Sequence, residues 1–435
     1  MRNDSCSPRC RMRQSVTRWL PLAALLAALQ VMPAMAGEAL IGGDVDSLLA
    51  YAREHNPEFA SVRYEAEAAS ERVTPAGALP DPKLRTELMD LTRQGTQSPN
   101  VLPGRVGSAR YTLMQDVPWF GKRDLKREIA ELEAEGSQGR ATGVWHEIAA
   151  RIKSGYAQLY FVVRSEALNR EILALMVRLE QVAQLRYASG LAAQQDVIRA
   201  QVEQTALRNE LLGLENERRQ LQARLNAWLA RPVTAPLAEP ERLRPVPPPA
   251  RLQAAELEER VRARNPQLFA DEARIKAAEK SRDLALKNRY PDFTFGVVPN
   301  QTQSTVRQWD MMVEVNVPLQ QATRRAQERE SEAMLAAART RKEATANQVL
   351  GELGETLSGL DVARRTEILT TSSLLPQAEL TFQAALPGYE TGKVDFATLL
   401  DAQRQIRLAR QNILKAQAEA RIRLADLEKL LGEEL

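Results

Sequence analysis

Cysteine is almost missing from this 435-residue chain: there are two, Cys6 and Cys10, both within the first ten residues. Disulfides and cysteine-ligated metals are therefore excluded from the remainder. Histidine is as scarce, and the two present, His55 and His146, lie far apart, each beside a glutamate and outside any ligand-spaced motif. No Gly-x-Gly-x-x-Gly, phosphate loop or Gly-x-Ser-x-Gly occurs. With no nucleophile, acid–base pair or metal cluster in evidence, the chain is not expected to be an enzyme, and neither a cofactor nor a resident metal is expected.

Long apolar runs are lacking too. The segment Leu20 to Val31 falls short of the roughly 20 residues a membrane-spanning helix needs. Five arginines (Arg2, Arg9, Arg11, Arg13, Arg18) precede it and Ala34-Met35-Ala36 follows, so residues 1–36 read as an export signal cleaved before Gly37. Cleavage takes five of the 59 basic residues and one of the 56 acidic ones, moving the formal charge from +3 to −1. A mature chain so nearly neutral gives no basis for a nucleic-acid partner. No cysteine closely follows the cleavage site, so no N-terminal lipid anchor is expected.

The mature chain is an internal twofold repeat. Asn56-Pro57, Leu79-Pro80-Asp81, a strand-like pair, Val117-Pro118, a long helical stretch and Tyr187-Ala-Ser-Gly190 recur as Asn265-Pro266, Tyr290-Pro291-Asp292, a second strand-like pair, Val317-Pro318, a second long stretch and Tyr389-Glu-Thr-Gly392. The same Ala-Gln pair follows each turn at the same distance, Ala200-Gln201 and Ala402-Gln403. Between the repeats, residues 231–250 hold seven prolines and form an extended connector.

Trp309, Met311, Val313, Val315 and Val317 alternate with Asp310, Glu314 and Asn316, and Phe293, Phe295 and Val297 with Thr294 and Gly296, the period of half-buried strands. Ala109, Tyr111, Leu113 and Val117 oppose Arg110, Thr112 and Asp116 in the same way. Two hairpins are expected, residues 84–117 and 293–317, with polar loops at Thr92–Ser108 and Pro299–Gln308. Four strands cannot close a barrel, for which about eight is the working minimum, and an open apolar face invites aggregation. Either several chains pool their strands, or a small sheet packs on helices inside a soluble domain.

Residues 120–187 and 320–388 hold few helix breakers, and at 1.5 Å per residue helices of that length reach about 100 Å. Gln320–Gln348 is polar nearly all round, as suits a wall with water on both sides. Pro376 and Pro387 predict a kink and an end just before the turn. Shorter helices at 191–229 and 395–431 run back after each turn, and Val45–Val73 and Arg251–Lys287 have the size to cover the rest of each long helix. The expected domains are therefore 37–230 and 251–435, one repeat each.

The order helix, hairpin, long helix, Tyr-x-x-Gly turn, helix, given twice after a signal, resembles the outer-membrane efflux (TolC) family. The most specific match is Tyr389-Glu-Thr-Gly-Lys-Val-Asp-Phe-Ala-Thr-Leu-Leu-Asp-Ala-Gln403, supported by Tyr187 to Gln201 and by Gln115-Asp-Val-Pro-Trp-Phe-Gly-Lys122. The last of these, with Leu79-Pro80-Asp81-Pro82, is similar to members that serve heavy-metal pumps of the resistance-nodulation-division type. The resemblance implies a mainly α chain with a small β part: a long α-helical barrel in the periplasm, plus a transmembrane β-barrel in outer-membrane lipid completed by trimerisation, four strands per chain. It implies a passive duct, with a periplasmic adaptor and an inner-membrane pump as partners and heavy-metal cations as one cargo.

At the tip it implies turn glycines at Gly190 and Gly392, a closing hydrogen bond between Tyr389 and Asp196, and a carboxylate at Asp401 facing the constricted lumen. Thr398 lacks the second acid of the family pattern, and Val394 lacks the basic residue some members use to lock the tip. The competing class is a periplasmic coiled-coil scaffold or adaptor, which needs no apolar strand face and no repeated hairpin.

Overall fold

Residue 56 breaks what composition alone reads as one helix, and residue 265 does the same in the second repeat. In the computed structural model, which describes residues 40–91, 106–302 and 305–435, α1 (Val45–His55) gives way to α2 (Pro57–Glu71), and α6 (Ala254–Arg264) to α7 (Pro266–Lys287). Asn56 and Asn265 cap the second member of each pair, with proline at its first position, where the missing N–H costs nothing. Each asparagine also reaches a distant helix. The Asn56 amide donates to the Trp228 carbonyl (2.7 Å) and the Asn265 amide to the Leu430 carbonyl (2.8 Å). Both side chains are buried, so these bonds are made away from competing water.

The expected export signal and most of the first hairpin loop lie outside the described residues. The folded body, Ile41 to Leu435, continues from α2 through α3 (Val73–Gly77), β1 (Lys83–Met89), β2 (Ser108–Val117), α4 (Lys122–Ala188) and α5 (Gln194–Trp228). After the proline-rich connector, α6 and α7 lead to β3 (Asp292–Thr302), β4 (Thr305–Asn316), α8 (Gln321–Leu369), a π turn (Thr370–Leu374), α9 (Leu375–Glu390) and α10 (Phe396–Leu431).

Two sequence expectations need correction. The polar residues 299–302 and 305–308, expected within a loop at 299–308, extend the strands instead: Asn300 pairs with Gln308 and Thr302 with Thr305, with a bulge between Asn300 and Gln301. The ladder is made by backbone groups and tolerates polar side chains. Nor does Pro387 end its helix, since α9 runs through it to Glu390. Pro376 does mark an irregularity, for the π turn lies immediately before it, in the turn whose carbonyls a proline ring crowds.

Helix α4 packs on α2, α3 and α7 along one half and on α5 and α10 along the other. One small stack of apolar residues joins α1, α4 and α5 (Leu48, Ile152, Leu225), and its counterpart joins α6, α8 and α10 (Leu257, Leu353, Leu427). Each such leucine contributes roughly 2 kcal/mol of burial. Close approach of α4 to α7 depends on Gly139, where an added Cβ would stand 2.8 Å from the Phe269 ring.

The strands form one antiparallel sheet in the order β1-β2-β3-β4, so among the described residues the outer edges of β1 and β4 are unpaired. Register places Leu84, Leu113, Val297 and Met311 in one row, and Gln115, Phe295 and Val313 in the next. Except for Gln115 these side chains are apolar and exposed. Asp116, Thr294 and Glu314 occupy the opposite face, where Asp116 binds Lys83 (2.7 Å) and Thr294 (2.7 Å).

Sheet and helices meet at a fixed junction. The Lys122 ammonium, almost fully buried, donates to Asp292 (2.8 Å) and to the Tyr290 carbonyl (3.1 Å). The Trp119 backbone N–H donates to the same carboxylate (2.8 Å), and the Trp119 ring stacks on Tyr290 at 5.1 Å. The two sequence motifs Gln115–Lys122 and Tyr290–Asp292 are thus the two halves of one joint.

Candidate functional site at the helical tip

The far end of the helices carries both Tyr-x-x-Gly turns, and both close by the same hydrogen bonds. Gly190 N–H donates to the Tyr187 carbonyl and Gly392 N–H to the Tyr389 carbonyl, each at 3.0 Å. One residue later, Leu191 N–H donates to Arg186 and Lys393 N–H to Gly388, each at 2.8 Å. This bonding ends a helix with a left-handed residue, and Gly190 and Gly392 have φ of +71° and +76°.

The tip core is shared by both repeats: Met176 and Leu207 from α4 and α5 pack with Tyr389, Phe396 and Leu400 from α9 and α10. Tyr389 is buried, 5.1 Å from the Phe396 ring, and its hydroxyl donates to Asp196 at 3.5 Å, a long bond. Its pKa is pushed up to about 12, first by burial and then by the negative charge of Asp196, while Arg186 acts in the other direction.

Sequence reasoning passed over Arg186. Its guanidinium lies 4.9 Å over the Tyr389 ring, and it donates to the Glu390 carbonyl and, at 3.1 Å, to the Leu191 carbonyl. It thereby ties the turn of one repeat to the turn of the other with charge-assisted bonds and a cation–π contact. The signal in the sequence is an asymmetry: the residue before the Tyr is Arg186 in the first repeat and Gly388 in the second. Gly388 in turn receives Val394, whose methyl would stand 2.6 Å from an added Cβ. Val394 therefore serves packing, and the cation that reaches Tyr389 comes from Arg186.

Thr398 also has a defined task. Its backbone N–H donates to Asp395 (3.0 Å) and its hydroxyl does likewise, which caps α10 and holds the Asp395 carboxyl below its usual range. Asp401 is highly exposed on α10 beside an open groove lined by Ile198, Val202, Leu400 and Arg404. Its carboxylate is not bare: Arg404 stands 3.9 Å away and is itself bound to Glu203 at 2.6 Å. The tip thus brings Tyr389, Asp196, Gly190 and Gly392 together, with Asp401 on the neighbouring surface.

His55 stacks on Tyr51, and burial lowers the pKa of His146. Among the described residues no group of three metal-binding side chains occurs, and no helix is long and apolar enough to cross a membrane.

The family model described as outer membrane efflux protein matches residues 48–231 and 257–433, once per repeat. A cobalt-zinc-cadmium resistance protein, CzcC of Cupriavidus metallidurans, is 24% identical over 409 residues, covering 92% of this chain and 93% of that protein. Among solved structures, CusC, described in terms of folding and transmembrane channel formation, superposes with a TM-score of 0.77 at 16% identity, covering 91% of this chain and 93% of its own. The outer membrane protein VceC of Vibrio cholerae gives 0.75 at 17% identity, with 90% and 96% covered.

Proposed function

The chain belongs to the outer membrane efflux protein family and is a subunit of an outer-membrane efflux channel; from that premise we infer that three copies build one passive duct. The carrying observation is the four-stranded sheet with two free edges and an exposed apolar face. Twelve strands suffice for a closed barrel whose apolar face meets lipid and whose polar face lines water. The long helices then form a periplasmic wall, and no lipid anchor is needed.

In this reading the tip is the gate. Arg186 and the Tyr389–Asp196 bond hold the two turns of each copy together, Gly190 and Gly392 supply the left-handed residues, and Asp401 gives one carboxylate per copy near the opening. Three such carboxylates would favour cations over anions, tempered by Arg404. Heavy-metal cations are the proposed cargo, supported by the likeness to CzcC and by the Gln115–Lys122 and Leu79–Pro82 motifs. A periplasmic adaptor docking at the tip and an inner-membrane pump of the resistance-nodulation-division type are the proposed partners, and nucleic acid is not one. The duct performs no chemistry and needs no cofactor, since tight ligation of cargo would prevent release.

The test is a deletion strain carrying the cognate pump and adaptor. Restoring the gene should restore resistance to cobalt, zinc or cadmium and place a detergent-dependent trimer in the outer-membrane fraction. Release of the protein by osmotic shock would instead indicate a periplasmic scaffold.

A further inference from the structure

The two repeats allow a contact between copies to be located from a contact inside one. The order β1-β2-β3-β4 puts the joint between repeats at β2 and β3, where Trp119 and Lys122 of the first repeat meet Tyr290 and Asp292 of the second. Counting from the shared Val-Pro and Pro-Asp landmarks, Trp119 and Lys122 correspond to Leu319 and Ala322, and Tyr290 and Asp292 to Leu79 and Asp81. These counterparts sit at the two free flanks of the chain, beside β4 and β1.

Exposure on the β4 flank fits a missing partner. Leu319 is 82% exposed where Trp119 in the completed joint is half-buried, and Ala322 is exposed where Lys122 is 5% exposed, while Leu79 and its counterpart Tyr290 are both open, at 42% and 51%. The Trp119 N–H goes to Asp292, but the Leu319 N–H turns back onto the Val317 carbonyl (3.0 Å). The chemistry has also changed in a matched way: an aromatic pair in one joint becomes a leucine pair in the other, and a lysine becomes an alanine.

We propose that Leu319 and Ala322 of one copy receive Leu79 and Asp81 of the next, forming an apolar joint between copies that lacks the cation of the joint within the chain. This rests on the trimeric channel reading. The seam between copies is then the weaker of the two kinds of joint at the barrel base, because Asp81 meets no lysine at position 322.

The test starts from a full-length channel in which Cys6 and Cys10 are replaced by serine. The double variant L79C/L319C, treated in outer membranes with a short bifunctional maleimide, should give covalent dimers and trimers. W119C/Y290C should link only within one chain, and single-cysteine variants should stay monomeric on denaturing gels. A second measurement adds the missing cation: A322K should raise the temperature at which SDS separates the trimer by several degrees, and D81N should cancel that gain. Native trimers of L79C/L319C that yield only monomers, or equal melting of A322K and A322K/D81N, would overturn the contact. A wild-type protein with no trimer at all would overturn the channel reading together with it.

Discussion

Tyr187 and Tyr389 occupy the same place in the same motif, followed by the same turn, yet the first is 47% exposed and the second 3%. What separates them is the opposite repeat. Tyr389 has Arg186 over its ring and Asp196 at its hydroxyl, and the residues at the matching positions of the second repeat are Gly388 and Thr398, neither of which carries a charge. The base of the sheet shows the same pattern, with Lys122 and Asp292 paired where the counterparts are Ala322 and Asp81. Repetition builds the column, and departures from repetition place its charged locks inside one chain.

The largest expected effect comes from the tyrosines themselves. Y389A removes a buried ring from the tip core and should cost about 3–4 kcal/mol locally. Y187A should stay within about 0.5 kcal/mol. Hydrogen exchange of the first-turn amides of α10 measures both, and equal costs would break the comparison. Where the repeats are alike, effects should be alike: N265A, which loses three bonds, should cost about 3 kcal/mol, and N56A, which loses two, about 2 kcal/mol. Thermal or denaturant melts of the detergent-solubilised protein report these.

R186M is expected to leave melting nearly unchanged while weakening tip closure by about 1–2 kcal/mol, roughly tenfold in the open fraction. Single-channel conductance in planar bilayers should then rise above that of the wild type. The effect of pH is smaller still near neutrality. Because the folded tip raises the Tyr389 pKa above its ordinary value of 10.0, to about 12, the stability it gives is complete below the ordinary value and is lost as pH rises through about 12. Conductance of the wild type should climb in that window, and Y389F should abolish the climb.

Much of the fold was legible because it is written in periodic signals. Alternation over 309–317 marked β4, the scarcity of breakers marked α4 and α8, and Tyr-x-x-Gly marked both turns. The helix starts at Pro57 and Pro266 were open to the same reading, since Asn-Pro is a cap followed by a first-turn proline; what could not be read was that each asparagine also binds a helix more than 160 residues away. Arg186 was hidden for a similar reason: it acts on backbone carbonyls and a ring face, contacts that leave no spacing rule in the sequence. Residues 299–302 and 305–308 misled because their polarity suggests a loop, while the ladder that pairs them ignores side-chain polarity.

The most direct test of the whole is a mass measurement on the protein extracted from outer membranes in mild detergent. Three copies per particle, falling apart or aggregating when detergent is withdrawn, is the expected result. A single copy that stays monodisperse in plain buffer would show that the apolar face of the sheet is covered within one chain, and the shared barrel would have to be abandoned.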